Sequence, residues 1–256
     1  MKSLLTLRPV AWSLLCALVF LGGCLSSSED KPAGKDSAEY HYTLGVSYLK
    51  ESQTTEALKE FLEAEKFDDK DPEIQVVLAQ AYWLKRAHPQ AEKHLLRAIK
   101  LSDNDPNYIN NLAALYLSME RYDEAITTFR IAADNILFDR PEMAWTGIGR
   151  AYAQMNNFPA AQNAYKKALS LNSQYYEASF HLGELLFNLN RPVEALDAFT
   201  KAVTLAPRMV VAHYWQGLAY MRLQQEEKAR EAFEEVIRLS PTSEEARLSR
   251  DYLKML

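Results

Sequence analysis

The sequence has little of what builds sheets, disulfide frameworks or nucleic-acid surfaces. It holds 8 glycines and only 2 cysteines, Cys16 and Cys24, in 256 residues. Runs of β-branched residues with a period of two are missing, which argues against a sheet-based domain. The formal net charge is −5, so there is no basic excess and nucleic acid is not an expected partner. These absences favour an all-helical chain that is held together by packing.

Sequence signatures of catalysis and metal binding are missing as well. The histidines do not occur in H-x-x-x-H or H-E-x-x-H spacing, and there is no G-x-S-x-G, Walker or dinucleotide motif. Carboxylates are plentiful, for example at Glu60, Glu63 and Glu65, but a helical chain places such runs on solvated faces. We therefore predict no catalytic residue, no metal site and no cofactor. A hydrolase with a hidden carboxylate pair stays open as an alternative.

A pattern of small and large residues recurs about every 34 residues. The small position is filled by Gly45, Ala79, Ala113, Gly149, Gly183 and Gly217, at intervals of 34, 34, 36, 34 and 34 residues. A second small position holds Ala57, Ala91, Ala125, Ala161, Ala195 and Ala229. Four residues after it stand Phe61, Leu95, Phe129, Tyr165, Phe199 and Phe233. Small residues allow two antiparallel helices to approach closely, and the large ones fill the remaining space.

This spacing resembles the tetratricopeptide repeat (TPR) pattern. The resemblance implies an all-α TPR solenoid with six helix-turn-helix repeats, wound as a right-handed superhelix over residues 38–256. The repeats are predicted at about 38–71, 72–105, 106–141, 142–175, 176–209 and 210–241. Residues 242–256 are predicted to form a capping helix, which covers the apolar side of the last pair.

The beginning of the chain has the features of an export signal. Lys2 and Arg8 precede the apolar run Ala11–Leu21, which is shorter than the about 20 residues of a membrane span. The run leads into Leu21-Gly22-Gly23-Cys24, which resembles a bacterial lipobox. We predict a signal peptide at 1–23, acylation of Cys24 with palmitate among its chains, and a flexible tether at 24–37. The alternative is an ordinary signal peptide with an incidental cysteine.

The residue after Cys24 bears on localisation. It is Leu25 rather than aspartate, and in lipoproteins of diderm bacteria this favours sorting to the outer membrane. We therefore expect a lipid-anchored protein on the periplasmic face, although surface exposure is not excluded. The tether would span about 20 Å as a coil and at most about 40 Å when extended.

One junction is two residues longer than the others, between Ala132 and Trp145. It contains the apolar run Ile136-Leu137-Phe138, which we expect to pack against the repeats rather than extend into solvent.

The same junction gives a narrower resemblance. Together with Asn110-Asn111-Leu112 and Arg121-Tyr122-x-Glu124-Ala125, the motif N-x-L-[FY]-x-x-P-E (Asn135 to Glu142) resembles the type IV pilus biogenesis lipoproteins of the PilF/PilW/Tgl kind. That resemblance implies a pilotin, which binds secretin subunits and promotes their localisation and multimerisation in the outer membrane. The alternative is a periplasmic TPR scaffold that recruits cell-wall or outer-membrane assembly factors.

The TPR resemblance also predicts where a partner binds. Positions two, five, nine and twelve of each first helix line the concave face of such a superhelix. The predicted partner-binding groove contains Tyr42, Val46, Leu49, Val76, Gln80, Trp83, Asn107, Asn110, Leu117, Arg150, Phe180, Phe187 and Tyr214. For many of these side chains core packing is the alternative. Arg150 is nearly the only cation, which disfavours a clamp for two carboxylates and favours an extended or amphipathic segment with apolar anchors.

Overall fold

The computed structural model describes residues 37–256, and within that range the chain forms thirteen α-helices and no strand. They are α1 (Ala38–Lys50), α2 (Thr54–Phe67), α3 (Pro72–Leu84), α4 (His88–Leu101), α5 (Pro106–Ser118), α6 (Tyr122–Ala133), α7 (Pro141–Gln154), α8 (Phe158–Leu171), α9 (Tyr176–Asn188), α10 (Pro192–Leu205), α11 (Val210–Arg222), α12 (Glu226–Leu239) and α13 (Glu244–Leu253). The predicted all-α solenoid of helix pairs is confirmed. The predicted signal peptide, the acylated Cys24 and the tether up to residue 36 lie outside the described residues.

Local sequence explains where several helices begin. The Asp71 carboxylate accepts the backbone N–H of Glu73 at 2.8 Å, and the Asp105 carboxylate accepts that of Asn107 at 2.7 Å. A proline follows each aspartate at the first helical position. Such a pair satisfies one free N–H and fixes the backbone angle that a helix needs, so α3 and α5 start where the sequence predicts.

In the turn between the two helices of each repeat, one residue has a backbone conformation in the left-handed region of φ/ψ space. These residues are Ser52, Arg86, Glu120, Asn156, Asn190 and Gln224, with φ between 57° and 61°. None is glycine, so the neighbouring helices hold each backbone in a conformation that L-residues adopt at some cost. The same turn therefore recurs with the period of the sequence.

The small and large positions meet as the sequence predicts. All six alanines of the second helices, from Ala57 to Ala229, are fully buried. A Cβ added at Gly149 would lie 2.4 Å from the Tyr165 ring, which leaves no room for a side chain. The backbone at Gly147 also lies close to a ring, because a Cβ added there would be 2.3 Å from the Phe129 side chain. The first contact sets the distance within the α7–α8 pair, and the second sets the distance between α6 and α7 of successive repeats.

The last helix covers the end of the stack. The ring of Tyr252 in α13 stacks on Phe233 of α12, with centroids 5.3 Å apart and planes at 9°. Leu248 of the same helix is half-buried. The capping helix is therefore present, and it ends at Leu253 inside the predicted range 242–256.

The expectation that the whole lengthened junction packs is wrong for two of its three apolar residues. Phe138 is 5% exposed, whereas Ile136 is 95% and Leu137 80% exposed. Asn135 explains the difference, because its side-chain oxygen accepts the N–H of Leu137 at 2.9 Å and its carbonyl accepts that of Phe138 at 3.0 Å. Successive side chains of so tight a turn point in different directions, so only one reaches the core.

A buried polar network joins the first two repeats. Gln75 is fully buried and donates to Glu65 at 3.0 Å, while its carbonyl oxygen lies 2.8 Å from Nδ1 of His94. Arg97 bonds both Glu65, at 3.2 Å, and Asp69, at 2.5 Å. Because the amide oxygen of Gln75 can only accept, the His94 ring donates from Nδ1.

This network gives a pH-dependent stability. Burial lowers the pKa of His94 below its usual 6.5, and Lys93 and Arg97 act in the same direction, against Glu65. A lowered pKa means that the unfolded chain binds the proton first. The contribution of His94 to the free energy of unfolding should therefore be constant above about pH 6.5 and fall as the pH drops below that value. Urea denaturation at pH 7.5 and pH 5.5, compared with His94→Asn, checks this prediction. An equal pH dependence in the variant would contradict it.

Candidate partner-binding groove

The first helices of the repeats form one layer of the molecule. Contacts join α1 with α3, α5 with α7, α7 with α9, and α9 with α11, and each first helix packs against its own second helix. Side chains on the free side of this layer make up the first-helix groove. The sequence predicted the partner-binding residues on this side.

Most of the predicted groove residues are half-buried. Those are Tyr42, Val46, Leu49, Val76, Trp83, Asn107, Leu117, Phe187 and Tyr214. Gln80 and Arg150 are exposed. A half-buried apolar side chain can both pack on its neighbours and present a face to a partner, so these residues fit either role.

Two predicted residues are more buried than a surface contact requires. Phe180 is 5% exposed and its ring lies 6.0 Å from that of Phe199, so core packing accounts for most of its surface. Asn110 is 7% exposed. The position rule that selected them treats all repeats alike, whereas actual burial depends on the neighbours that each repeat supplies.

Four predicted residues meet around one cavity. Trp83, Asn110, Leu117 and Arg150, from α3, α5 and α7, line a space of about 430 Å³ in the middle of the groove. Residues that the groove prediction did not include line it too: Glu120, Tyr122, Phe129, Gln154, Tyr175 and His181. Several of these lie in turns or on second helices. The groove prediction used only fixed positions of the first helices (the first-helix rule), so it did not include them. We call this space the central cavity.

Arg150 also borders a second recess. This space of about 730 Å³ is lined by Arg150, Phe180, Pro207, Arg208 and Met209 among others. Arg208 is thus a second cation on the groove, which sequence reasoning missed because it lies in the turn between α10 and α11. Tyr176, Glu177 and His181 line the recess as well, so its wall is partly polar.

Two phenol–carboxylate pairs occur along the groove: one joins α5 to α3, and the other lies at the start of α9. The Tyr108 hydroxyl donates to Glu73, and the Tyr175 hydroxyl donates to Glu177. Burial, and next the hydrogen bond to Glu73, raises the pKa of Tyr108. The phenols therefore stay protonated and act as donors, and both carboxylates serve as acceptors in structural bonds. This arrangement gives the hydrolase alternative no support.

The motif residues Arg121 and Glu124 have a structural role. The Arg121 guanidinium bonds Glu124 and also Glu92 of the preceding repeat, at 2.5 and 2.7 Å. It lies 4.2 Å from the ring centroid of Tyr116, whose hydroxyl donates to Glu92 at 2.9 Å. Burial and the bond to Glu92 raise the pKa of Tyr116 to about 12. This part of the motif ties repeat two to repeat three.

The described residues contain no cluster for a metal ion, since no three histidine, cysteine, aspartate or glutamate side chains converge among them. Between residues 37 and 256, no helix combines the length and hydropathy of a membrane span.

The chain belongs to the tetratricopeptide repeat family. Profiles of this family match residues 35–108 and 146–210, residues 104–174, and residues 210–243. Together these matches extend over the helix pairs from α1 to α12, in agreement with the repeats that the small and large positions predicted.

Within this family, the chain is related to type IV pilus proteins. It is 24% identical over 189 residues to the type IV pilus assembly protein PilF of Pseudomonas aeruginosa, covering 70% of this chain and 75% of the relative. Its fold is similar to the crystal structure of PilW, a widely conserved type IV pilus biogenesis factor (TM-score 0.69, 19% identity, 82% of this chain and 97% of PilW). It is also similar to that of Pseudomonas aeruginosa PilF (TM-score 0.66, 18% identity, 84% and 97%). The predicted relationship to type IV pilus biogenesis proteins is confirmed.

Proposed function

We propose that this protein is a pilotin: an outer-membrane lipoprotein that binds secretin subunits and promotes their localisation and multimerisation for type IV pilus biogenesis. The relationship to PilF, which extends over most of both chains, is the observation that carries the proposal. The lipobox around Cys24 supports an anchor, and the first-helix groove supports a binding function rather than a catalytic one.

The N-terminal repeats are the proposed binding region. Their first helices carry Tyr42, Val46, Leu49, Val76 and Trp83, which are half-buried and belong to the predicted partner-binding groove. Aromatic and aliphatic side chains of this kind act as anchors because a partner removes their remaining surface from water. The same repeats follow the tether, so a captured secretin subunit would be held close to the bilayer.

Capture and delivery then become one event. The acyl chains keep the protein at the membrane, and the groove raises the local concentration of secretin subunits beside it. Multimerisation is favoured because subunits meet at a surface rather than in the periplasm. No step of this mechanism requires a catalytic residue.

Trp83→Ala should weaken binding of the secretin about 30-fold or more, because a central tryptophan anchor contributes about 2 kcal/mol or more. The side chain borders the central cavity, and it is only partly buried. Leu49→Glu should weaken binding as well, because it places a charge among apolar contacts. Fluorescence anisotropy with labelled secretin measures both effects.

Leu84→Ala is the matched control for Trp83→Ala. Leu84 is the next residue of α3, is 59% exposed and does not line the central cavity. It should bind secretin like the wild type. Cells with Trp83→Ala should accumulate secretin monomers and lose surface pili and twitching. Secretin multimers and pili that persist in a complete deletion would refute the pilotin function and favour the periplasmic scaffold.

A further inference from the structure

A slot opens among the helices of repeats four and five, on the side of the second helices. The space of about 310 Å³ is lined by residues of α8, α9 and α10. Leu182 and Leu186 of α9 are buried and form its floor, and the half-buried Leu169 of α8 and Ala198 of α10 line it as well. It shares no lining residue with the central cavity or the second recess. We call this space the α8–α10 slot.

The equivalent place between repeats one and two is filled by the buried polar network. There Gln75 of α3 bonds Glu65 of α2 and His94 of α4. Counted from the small positions of the repeat pattern, the residues that take these places around the slot are Ser179, Leu169 and Ala198. Serine replaces a glutamine and alanine replaces a histidine, so two side chains are much shorter. The slot is the space that they leave.

Repeat four shows how the chain otherwise fills such a space. There the two second-helix positions are both alanine, Ala133 and Ala164, and the first-helix position holds Trp145. The half-buried indole packs against the same core cluster to which these alanines belong. Repeat five has alanine at one of the two positions and only Ser179 in place of the tryptophan. An indole-sized group that enters from outside would give this repeat the close packing of its neighbour.

The floor of the slot also contains a hydroxyl. Ser179 is 1% exposed and lines the slot, and its Oγ has no hydrogen-bond partner in the part of the chain that the structure describes. Most buried side-chain polar atoms in folded proteins are bonded. The indole N–H of a tryptophan or the hydroxyl of a tyrosine would supply a donor here. An aromatic side chain with a polar tip therefore suits this floor.

Charges of both signs line the slot. Lys166 and Lys201 are exposed, and so are Glu194 and Asp197. Arg191 bonds Glu194 at 2.6 Å, so the acidic side has no excess over the basic side. Such a lining does not select an anion. It complements a partner that carries both acidic and basic residues around an apolar anchor, as the polar flanks of an amphipathic helix do.

The walls also determine which backbone conformation can bind. α8, α9 and α10 are regular helices, whose backbone groups are bonded within each helix. An extended segment would find few main-chain partners there, and its own N–H and C=O groups would lose their bonds to water. A helical segment bonds its backbone internally and needs only side-chain contacts. The slot therefore favours a helix.

We propose that the α8–α10 slot is a docking site for an amphipathic helix of a partner protein, which inserts one tryptophan or tyrosine side chain against Ser179. The helix lies along α8 and α10, and its charged flanks meet Lys166 and Asp197. This site is separate from the first-helix groove, so both can be occupied at once. The proposal does not depend on the proposed function.

The first measurement tests the anchor position with indole as the probe. Indole is added to protein with isotope-labelled leucine methyl groups, and the methyl resonances of Leu182 and Leu186 should shift most. Ser179→Trp should abolish these shifts, because the new side chain fills the slot as Trp145 fills its equivalent. Its urea midpoint should stay equal or rise. No shifts at these leucines, or equal shifts in the variant, would overturn the proposal.

Two further variants secure this result. Asn163→Trp is the matched control, because Asn163 is an exposed residue of α8 that does not line the slot. It adds the same side chain and should leave the indole shifts unchanged. Ala198→Leu narrows the slot from α10 and replaces Ser179→Trp if that variant does not fold. Indole shifts as large in Ala198→Leu as in the wild type would contradict the site.

The second measurement identifies the partner in cells. A photoreactive residue in place of Lys166, in the full-length protein, should cross-link to one helical segment of a partner that contains tryptophan or tyrosine. The adduct should disappear when Ser179→Trp is combined with it and persist with Asn163→Trp. Absence of an adduct, an adduct that Ser179→Trp does not affect, or one with lipid alone would overturn the proposal.

The third measurement uses the cross-linked segment as a synthetic peptide. Replacing its aromatic anchor with alanine should weaken binding about 30-fold or more, as expected of an interface hot spot. A central proline should weaken binding at least as much, because it breaks the helix. Trp83→Ala should have no effect, since Trp83 lines the central cavity. A peptide that tolerates proline, or that Trp83→Ala weakens, would refute helix docking in the slot, whatever the outcome for secretin.

Discussion

Cys24→Ala is expected to remove the protein from the outer-membrane fraction and to abolish labelling with palmitate. Each buried CH₂ of an acyl chain contributes about 0.8 kcal/mol, and more than one chain makes anchoring effectively stable. Without the thiol no acyl chain is attached, so the groove is no longer held at the membrane. Secretin multimers should be lost together with the anchor. Membrane fractionation and metabolic labelling measure the first effects, and immunoblots of unheated samples measure the last.

Cys16→Ala is the control for this experiment. Cys16 lies within the predicted signal peptide, so its replacement should leave labelling, fractionation and multimers unchanged. The Cys24→Ala protein should still show the circular dichroism of a helical protein, since the thiol precedes the first helix. Wild-type protein that is soluble and unlabelled would contradict the anchor, and would support the alternative of an ordinary signal peptide.

Phe138→Ala is expected to lower the free energy of unfolding by about 3–5 kcal/mol, the usual cost of removing a buried aromatic side chain. Phe138 is the one apolar residue of the lengthened junction that reaches the core, where it joins the cluster formed by α3 to α8. The loss should be concentrated at repeats three and four, because repeat proteins are stabilised by contacts between neighbours. Urea denaturation and hydrogen exchange would measure its size and location.

The neighbouring residue provides the matched comparison. Leu137 is 80% exposed, so Leu137→Ala should change the free energy of unfolding by no more than about 0.5 kcal/mol. Both substitutions shorten an apolar side chain in the same turn, and only the burial differs. Equal effects of the two would show that the junction does not have the described conformation in solution.

The architecture follows from local rules that repeat along the sequence. Aspartate–proline pairs fix the start of α3 and α5, and alanines at a constant spacing fix which side of each second helix faces its partner. A residue such as Gly149 is small because the Tyr165 ring lies against its backbone. Since each repeat contacts only its neighbours, a local pattern is enough to predict the global arrangement.

The groove was predicted less completely, because its residues depend on more than one repeat. The first-helix rule found Trp83, Leu117 and Arg150, which the structure brings to the same cavity. It could not find Tyr175 or Arg208, since these lie in turns outside the helical register. It also could not show that Asn110 is buried, because that depends on the atoms that surround it.

By itself, the sequence determined the helix pairs, their number and their packing faces, because period and residue size are properties of the chain. It also supplied a segment, Leu21 to Cys24, that resembles a lipobox, and the motifs that resemble those of type IV pilus proteins. Only the tertiary structure decided that Phe138 packs while Ile136 and Leu137 face solvent, because the hydrogen bonds of Asn135 set the direction of each side chain. It likewise decided which groove residues share the central cavity, since that requires three helices from separate repeats to meet in space.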